Sequence, residues 1–472
     1  MFNKLCFITA LIFIPKLGLA QISKKDWVSL CENANAGRKH TCDKIREQFL
    51  GDWGEVYDQI SNIASLSLNY SQISDLSPLE GLVNLRELEI IGNQIWDISP
   101  LKSLANLRLL KLDFNQISDL SPLENLLKIE EIELSNNYIN DLTALSRLEN
   151  LERLHLNHNQ ISDITALSQL TKLKKLSLNR NTVSDLSAVS SLMRLDSLYV
   201  NQNKIKDLSF LAGMRTLRNL HLYNNQISDI SPLRELKGIE TIYLGSNQIS
   251  DLSPLAELEN IENLYLYDNR ISNISSLSGL INLEILALGY NRISDLSPLA
   301  GLTNLETLSL GHNHIIDLSP LSELFFLDML LLFENQISDL SPLSGLINLE
   351  VLALFENEIS DISTLCHLTN LEILNLDNNL IQDFSPIPHL RHLVEDSIQL
   401  VSAEYQINGR FPVNDEINNE AVVCAICLNG YKEENEISEI PDCQHIFHKE
   451  CIGSWLVRHD TCPYCRNTIL RL

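Results

Sequence analysis

From Ile63 to about Ile387 the apolar positions return every 22 residues without an insertion. In one copy they fall at Leu151, Leu154, Leu156, Ile161 and Ile164, with polar residues at most of the places between. Two leucines two apart predict a short strand whose side chains point to one face, and Ile161 and Ile164 close the same core. A single copy cannot bury that face, so the copies must stack. An asparagine recurs at the same place in each copy, every 22 residues from Asn93 to Asn379, and Ser71 holds that place in the first, which makes about fifteen repeats over residues 63–387. Buried in a stack, these asparagines are expected to satisfy loop backbone groups of neighbouring turns. The segment Asp251-Leu252-Ser253-Pro254-Leu255, common to many copies, predicts a short helical turn with a serine cap and proline at its first position.

Outside the repeats the pattern changes. Residues 21–62 read as an N-terminal helical cap, with Asp43 to Ile60 helical around Phe49, Trp53 and Tyr57. Residues 1–20 combine Lys4, an apolar run from Leu5 to Ile14 and Gly18-Leu19-Ala20, the plan of a signal peptide cut between Ala20 and Gln21. The run is short for a bilayer span, and no later stretch is longer, so no membrane span is expected. Residues 388–420 lose the period and read as a C-terminal cap and linker.

Charge narrows the partners. With 35 Lys and Arg against 61 Asp and Glu, the net charge of -26 repels phosphate backbones and anionic lipid, which sets nucleic acid aside. Aspartate stands fourth after the key asparagine in every copy except at Asn273, so loop geometry accounts for much of the acidity. Cys31 and Cys42 are either a disulfide or two free thiols, and the sequence leaves both open.

Residues next to the inward leucines should face outward on the sheet. One such column reads Tyr199, His221, Tyr243 and Tyr265; its neighbour supplies Tyr223, Tyr267, Phe333 and Phe355, and Tyr290 extends the belt. Exposed rings on a rigid sheet serve as anchors for a protein partner, so this face is the expected substrate-binding surface. Mutual stacking that only stabilises the sheet is the alternative.

The chain's densest chemistry lies in residues 421–472. Cys424 and Cys427, then Cys443, His445, His448 and Cys451, then Cys462 and Cys465 place eight potential zinc ligands within 42 residues. Such spacing closes tetrahedral sites that can fold a segment too small for an apolar core. Elsewhere no Ser/His/Asp or Cys/His nucleophile arrangement stands out.

Two resemblances follow from these residues. The 22-residue copies, with Asn-Gln-Ile-Ser-Asp-Leu-Ser-Pro-Leu, resemble the internalin-type leucine-rich repeats of bacterial surface and effector proteins. That resemblance implies an α/β leucine-rich-repeat solenoid with a parallel sheet on its concave face. The C-terminal spacing resembles the RING finger of the two-histidine class, which implies two interleaved structural zinc ions. One would be held by Cys424, Cys427, His448 and Cys451, the other by Cys443, His445, Cys462 and Cys465. The same resemblance assigns a groove for a ubiquitin-conjugating enzyme to Ile426, Trp455, Leu456 and Pro463. It assigns Arg466 the bridge between that enzyme and the ubiquitin it carries. The chain is thus expected to be a RING-type ubiquitin ligase without a catalytic cysteine, its repeats selecting a protein substrate. The signal segment and the internalin likeness together imply a secreted protein delivered to the cytosol of a host cell. The competing expectation is a non-enzymatic adhesion or receptor-binding protein with a structural zinc module.

Overall fold

Why the repeat becomes a strand-and-turn coil is visible in where its leucines go. The computed structural model describes residues 21–388 and 390, together with the backbone at 437–439 and 446–448. Fifteen three-residue strands recur every 22 residues and fall in two units divided between Leu173 and Lys174. In the first unit five strands run from Ser65–Ser67 to Arg153–His155, each parallel to the next. In the second, ten run from Lys175–Ser177 to Ile373–Asn375 in the same way. The register advances by one repeat at each step, so Leu264 lies opposite both Ile242 and Leu286. Leu154, Leu156 and Ile161 are fully buried, as their counterparts are in repeat after repeat. Each unit is thus a stack of strand-and-turn coils around a leucine core, the architecture of a leucine-rich repeat.

The key asparagines form the expected ladder. Asn291 Nδ2 donates to the carbonyls of Leu266, Leu288 and Gly289 at 3.0, 3.0 and 3.1 Å, while its Oδ1 accepts from the Ile271 amide at 2.9 Å. Its neighbours at 269 and 313 repeat the arrangement.

The short turns are 3-10 helical, as at Ser253–Leu255, but their cap differs from the expectation. The serine side chain does not cap the turn; the aspartate two residues earlier accepts from the Ser253 amide at 2.8 Å. Asp119, Asp295 and Asp339 do the same. This Asx arrangement explains the aspartate column, and the amide of Ser253 holds the Asp251 carboxyl below its ordinary range.

The N-terminal cap contains three helices, α1 (Lys24–Glu32), α2 (Ala36–Gln48) and α3 (Trp53–Ile60), rather than one helix from Asp43 to Ile60. Gly51, at φ +128°, breaks the expected helix, and Asp52 with Glu55 forms a capping box that restarts it. Trp27 of α1 is the centre the sequence reading missed. It is fully buried, packs on Trp53 and Tyr57 with ring centroids 6.2 and 5.7 Å away, and donates from Nε1 to the Pro78 carbonyl of the first repeat at 2.7 Å. Cys31 and Cys42 are bonded to each other, tying α1 to α2. Cys366 is a free, half-buried thiol with Sγ 3.3 Å from His367 Nδ1. No described helix is long and apolar enough to cross a membrane.

Candidate functional site

Parallel pairing in strict register stacks every outward position on its counterpart one repeat away, at the roughly 4.8 Å spacing of adjacent strands. In the second unit this places aromatic rings face to face. Tyr199 and His221 have centroids 4.4 Å apart, His221 and Tyr243 4.1 Å, and Tyr243 and Tyr265 3.9 Å, the last two pairs nearly parallel. In the next column Tyr223 meets Tyr267 at 5.6 Å and Phe333 stacks flat on Phe355 at 4.7 Å. Glycines make room for two of these rings: a Cβ at Gly245 would stand 2.6 Å from the Tyr267 ring, and one at Gly311 2.2 Å from that of Phe333. Tyr290 belongs to the turn rather than the strand. Its φ of 53° is left-handed, and its ring leaves the column to meet His312 at 4.6 Å.

The expectation of exposed rings is corrected by this stacking. His221 and Tyr243 retain 5% of their accessible surface, covered by rings on both sides, and Tyr265 and Phe333 2%, covered by Tyr243 and Ala287 and by Phe355 and Gly311. Tyr199, Tyr223, Tyr267, Tyr290 and Phe355 remain half-exposed. Sequence reasoning also missed the aliphatic part of the face. Ile285, Met329, Leu331, Val351, Ala353 and Ile373 continue the aromatic belt as one apolar cluster. The signal was present in the residues flanking the central leucine of each strand, taken down the repeats in two columns rather than along the chain.

Burial sets the protonation of this face. It pushes the His221 pKa down to about 3, with Lys175 adding to the effect, so the imidazole is neutral at physiological pH. It pushes the Tyr243 hydroxyl up to about 12, and those of Tyr265 and Tyr267 are raised for the same reason, next by their tyrosine neighbours. A raised folded-state pKa keeps its full contribution to stability below the unfolded value near 10 and loses it as pH climbs through the folded value. Urea unfolding should therefore show stability falling between pH 10 and 12, by about 2–3 kcal/mol from Tyr243 alone. A variant with Phe at 243, 265 and 267 should flatten that fall; an unchanged alkaline profile would contradict the assignment.

The first unit's face is different in kind. Arg153 pairs with Glu131 at 2.5 Å, Arg108 with Glu130 at 2.8 Å, and Lys111 with Glu133 at 3.3 Å, so its charges are largely matched within the face.

Of the zinc module, the described part is an antiparallel pair, Ile437–Glu439 with Ile446–His448, in which Ile437 lies opposite His448. The backbone of His448 is thus on a strand. Cys424, Cys427, Cys443, His445, Cys451, Cys462 and Cys465 lie outside the described residues, as do Ile426, Trp455, Leu456, Pro463 and Arg466, and likewise Ala20. Six thiols and two imidazoles in four close pairs remain a donor set that fits zinc in closed sites.

Comparison with known proteins separates the same two parts. The Ring finger domain model matches residues 422–466. The Leucine Rich repeats model, which describes two copies at a time, matches 61–103, 149–191, 171–213, 194–235, 215–257, 259–301, 281–323 and 347–389. Among solved structures, an internalin from Listeria monocytogenes, InlF, is 33% identical with a TM-score of 0.65, the match covering 68% of this chain and 95% of that one. The RING region is similar to Arabidopsis thaliana E3 ubiquitin-protein ligase ATL31, 44% identical over 54 residues, which are 11% of this chain and 15% of that protein. It is also similar to the RING-H2 finger protein ATL2 of the same plant, 39% identical over 59 residues, 12% of this chain and 19% of that protein. The chain spans between 13% and 44% of the length of the curated relatives it matches.

Proposed function

We propose that this chain, which belongs to the leucine-rich-repeat family on the internalin plan and carries a RING finger of the two-histidine class, is a ubiquitin ligase whose repeats select the protein to be modified. The observation that carries the reading is the RING match at 422–466, within which the residues that set a ligase apart from a purely structural zinc module are all present. Ile426, Trp455, Leu456 and Pro463 supply an apolar groove for the conjugating enzyme. A Trp in so small a module has little interior to occupy, which favours a surface role.

Both zinc sites have full ligand sets, so the two ions would shape the module and would leave no open position for a reacting molecule. The rate gain comes from orientation: the groove holds the charged conjugating enzyme while Arg466 donates hydrogen bonds that restrain its ubiquitin near the attacking lysine. No covalent intermediate forms on this chain.

Ubiquitin acts in the eukaryotic cytosol, while the first twenty residues have the plan of a signal peptide. An exported effector working inside a host cell reconciles the two. Supporting export are the internalin likeness and the Cys31–Cys42 bond, a linkage that forms in oxidising compartments. The internalin likeness also favours a second reading, an adhesion protein with a structural zinc module.

Reconstituted ubiquitylation decides between them. Residues 21–472, an activating enzyme and a panel of conjugating enzymes should yield ubiquitin chains, reduced about tenfold or more by Ile426→Ala and by Arg466→Ala, a loss of at least about 1.4 kcal/mol of transition-state stabilisation. Zinc-loaded, folded protein that yields no chains with any conjugating enzyme would favour adhesion.

A further inference from the structure

The apolar cluster on the second unit's face has a border of one sign. The residue preceding each strand is acidic without a break from Glu240 to Glu372, one carboxylate every 22 positions, Asp328 being the single aspartate. Backbone hydrogen bonds fix this row. Glu262 donates its amide to the Glu240 carbonyl at 2.9 Å, Glu284 to Glu262 and Glu306 to Glu284 at the same distance, and Glu372 to Glu350 at 2.8 Å. Seven acidic residues are therefore held about 4.8 Å apart along the edge of the apolar strip. Arg218 pairs with Glu240 at one end. Among the described residues, no lysine or arginine lies within ion-pair distance of Glu262, Glu284, Glu306, Glu350 or Glu372. On the other border, Asp268, Glu334 and Glu356 occupy the left-handed turn positions.

The surroundings do not offset this charge. Residues 240–387 contain 21 acidic and 2 basic residues. Some of the aspartates are accounted for as turn caps, but the glutamates beside the strands cap nothing. Packing like charges in a row costs free energy, and the Glu284 carboxyl shows it: partial burial and then its neighbours Glu262 and Glu306 raise its pKa. The first unit, whose corresponding charges are paired within the face, shows that the fold does not require the imbalance.

We infer that the second unit's sheet face docks a cationic amphipathic protein segment, its apolar side chains against the half-exposed Tyr267, Ile285, Phe355 and Ile373 and its lysines or arginines against the Glu240 to Glu372 row. Apolar contact supplies the affinity, and the row supplies orientation and discrimination against acidic partners. The row is about 30 Å long, the length of a helix of about twenty residues. The inference deepens the reading of this face as the substrate-selecting surface and rests on it.

The test is binding of a labelled twenty-residue peptide of leucine and lysine in an amphipathic pattern to the full chain, against the same peptide with glutamate for lysine. The lysine peptide should bind about tenfold or more tightly than its acidic counterpart and lose affinity as salt rises. A double variant, Glu284→Lys with Glu306→Lys, should weaken it about tenfold, as should Ile285→Asn, while Glu87→Lys in the first unit leaves it unchanged. Equal binding of both peptides, or no effect of the double variant, would overturn the inference. So would sedimentation showing a dimer that Ile285→Asn dissociates, because the occupant would then be a second copy. Ubiquitin-chain formation by the same wild-type preparation reads the ligase separately. Chains without a lysine preference would remove the docking inference alone, and a lysine preference without chains would remove the ligase reading alone.

Discussion

Replacing Cys462 with serine, or withdrawing zinc with a chelator, is expected to abolish ubiquitin-chain formation while the repeats stay folded. A module of about fifty residues with six cysteines and little apolar sequence cannot bury enough surface to order itself, so binding of its metals is its folding free energy. That binding is on the order of 10 kcal/mol per structural zinc, far more than a fifty-residue core supplies. Serine replaces a thiolate with a neutral hydroxyl, a poor ligand for zinc, and one lost ligand opens a closed site. The groove that Ile426, Trp455 and Pro463 would form has no other support. Activity should fall beyond about a hundredfold, against about tenfold for the groove variants, because the whole surface is lost rather than one contact. The repeat units carry leucine cores of their own, and their thermal transition, followed by circular dichroism, should move little. Chain formation that survives both treatments would show that a part other than the zinc module carries the activity.

The second large effect concerns stability. Asn291→Ala should destabilise the second unit by about 2–3 kcal/mol, since it leaves the Ile271 amide without a partner, at about 1–3 kcal/mol where water cannot reach it, and removes one of two bonds at the Leu266, Leu288 and Gly289 carbonyls, which keep Asn269, Asn313 and the Asp268 amide. The side chain is 7% exposed, so solvent offsets only part of this. Asn282→Ala is the control. Its amide makes one contact, to the Glu259 carbonyl at 2.8 Å, at an exposed position, and about 1 kcal/mol or less is expected. Urea midpoints for the two variants should separate clearly, and hydrogen exchange at the Ile271 amide should accelerate in the first alone. Equal midpoints would mean that the ladder is replaceable by water.

Most of the repeat fold was legible because its signals are local and repeated. Leu154 and Leu156 specify a strand by their two-residue spacing, Asn159 a turn three residues on, and fifteen copies average out the noise of any one. The cap was less legible. It is not repeated, its helices are short, and the break between α2 and α3 depends on Gly51 and Asp52, which one amphipathic pattern hides. Trp27 was overlooked because its role, seating the cap on Pro78, joins residues 51 positions apart. The turn caps show a subtler miss: serine and aspartate are both good caps, and only the backbone conformation shows that Asp251 accepts the amide.

For the functional surfaces the division is sharper. The eight zinc-ligand candidates and their pairing by spacing are sequence properties, because chelation by near neighbours needs only a short reach along the chain. The period, the inward leucines and the asparagine ladder were likewise determined by sequence alone. Which outward residues face solvent was not. Tyr243 and Tyr265 are 22 positions apart in the chain and 3.9 Å apart between ring centroids, and it is this approach that hides them. The same parallel pairing turns glutamates scattered at wide intervals into a continuous acidic row beside an apolar strip. Periodicity identifies which residues share a column, but exposure and charge density arise only when strand pairing brings the column's members within contact distance.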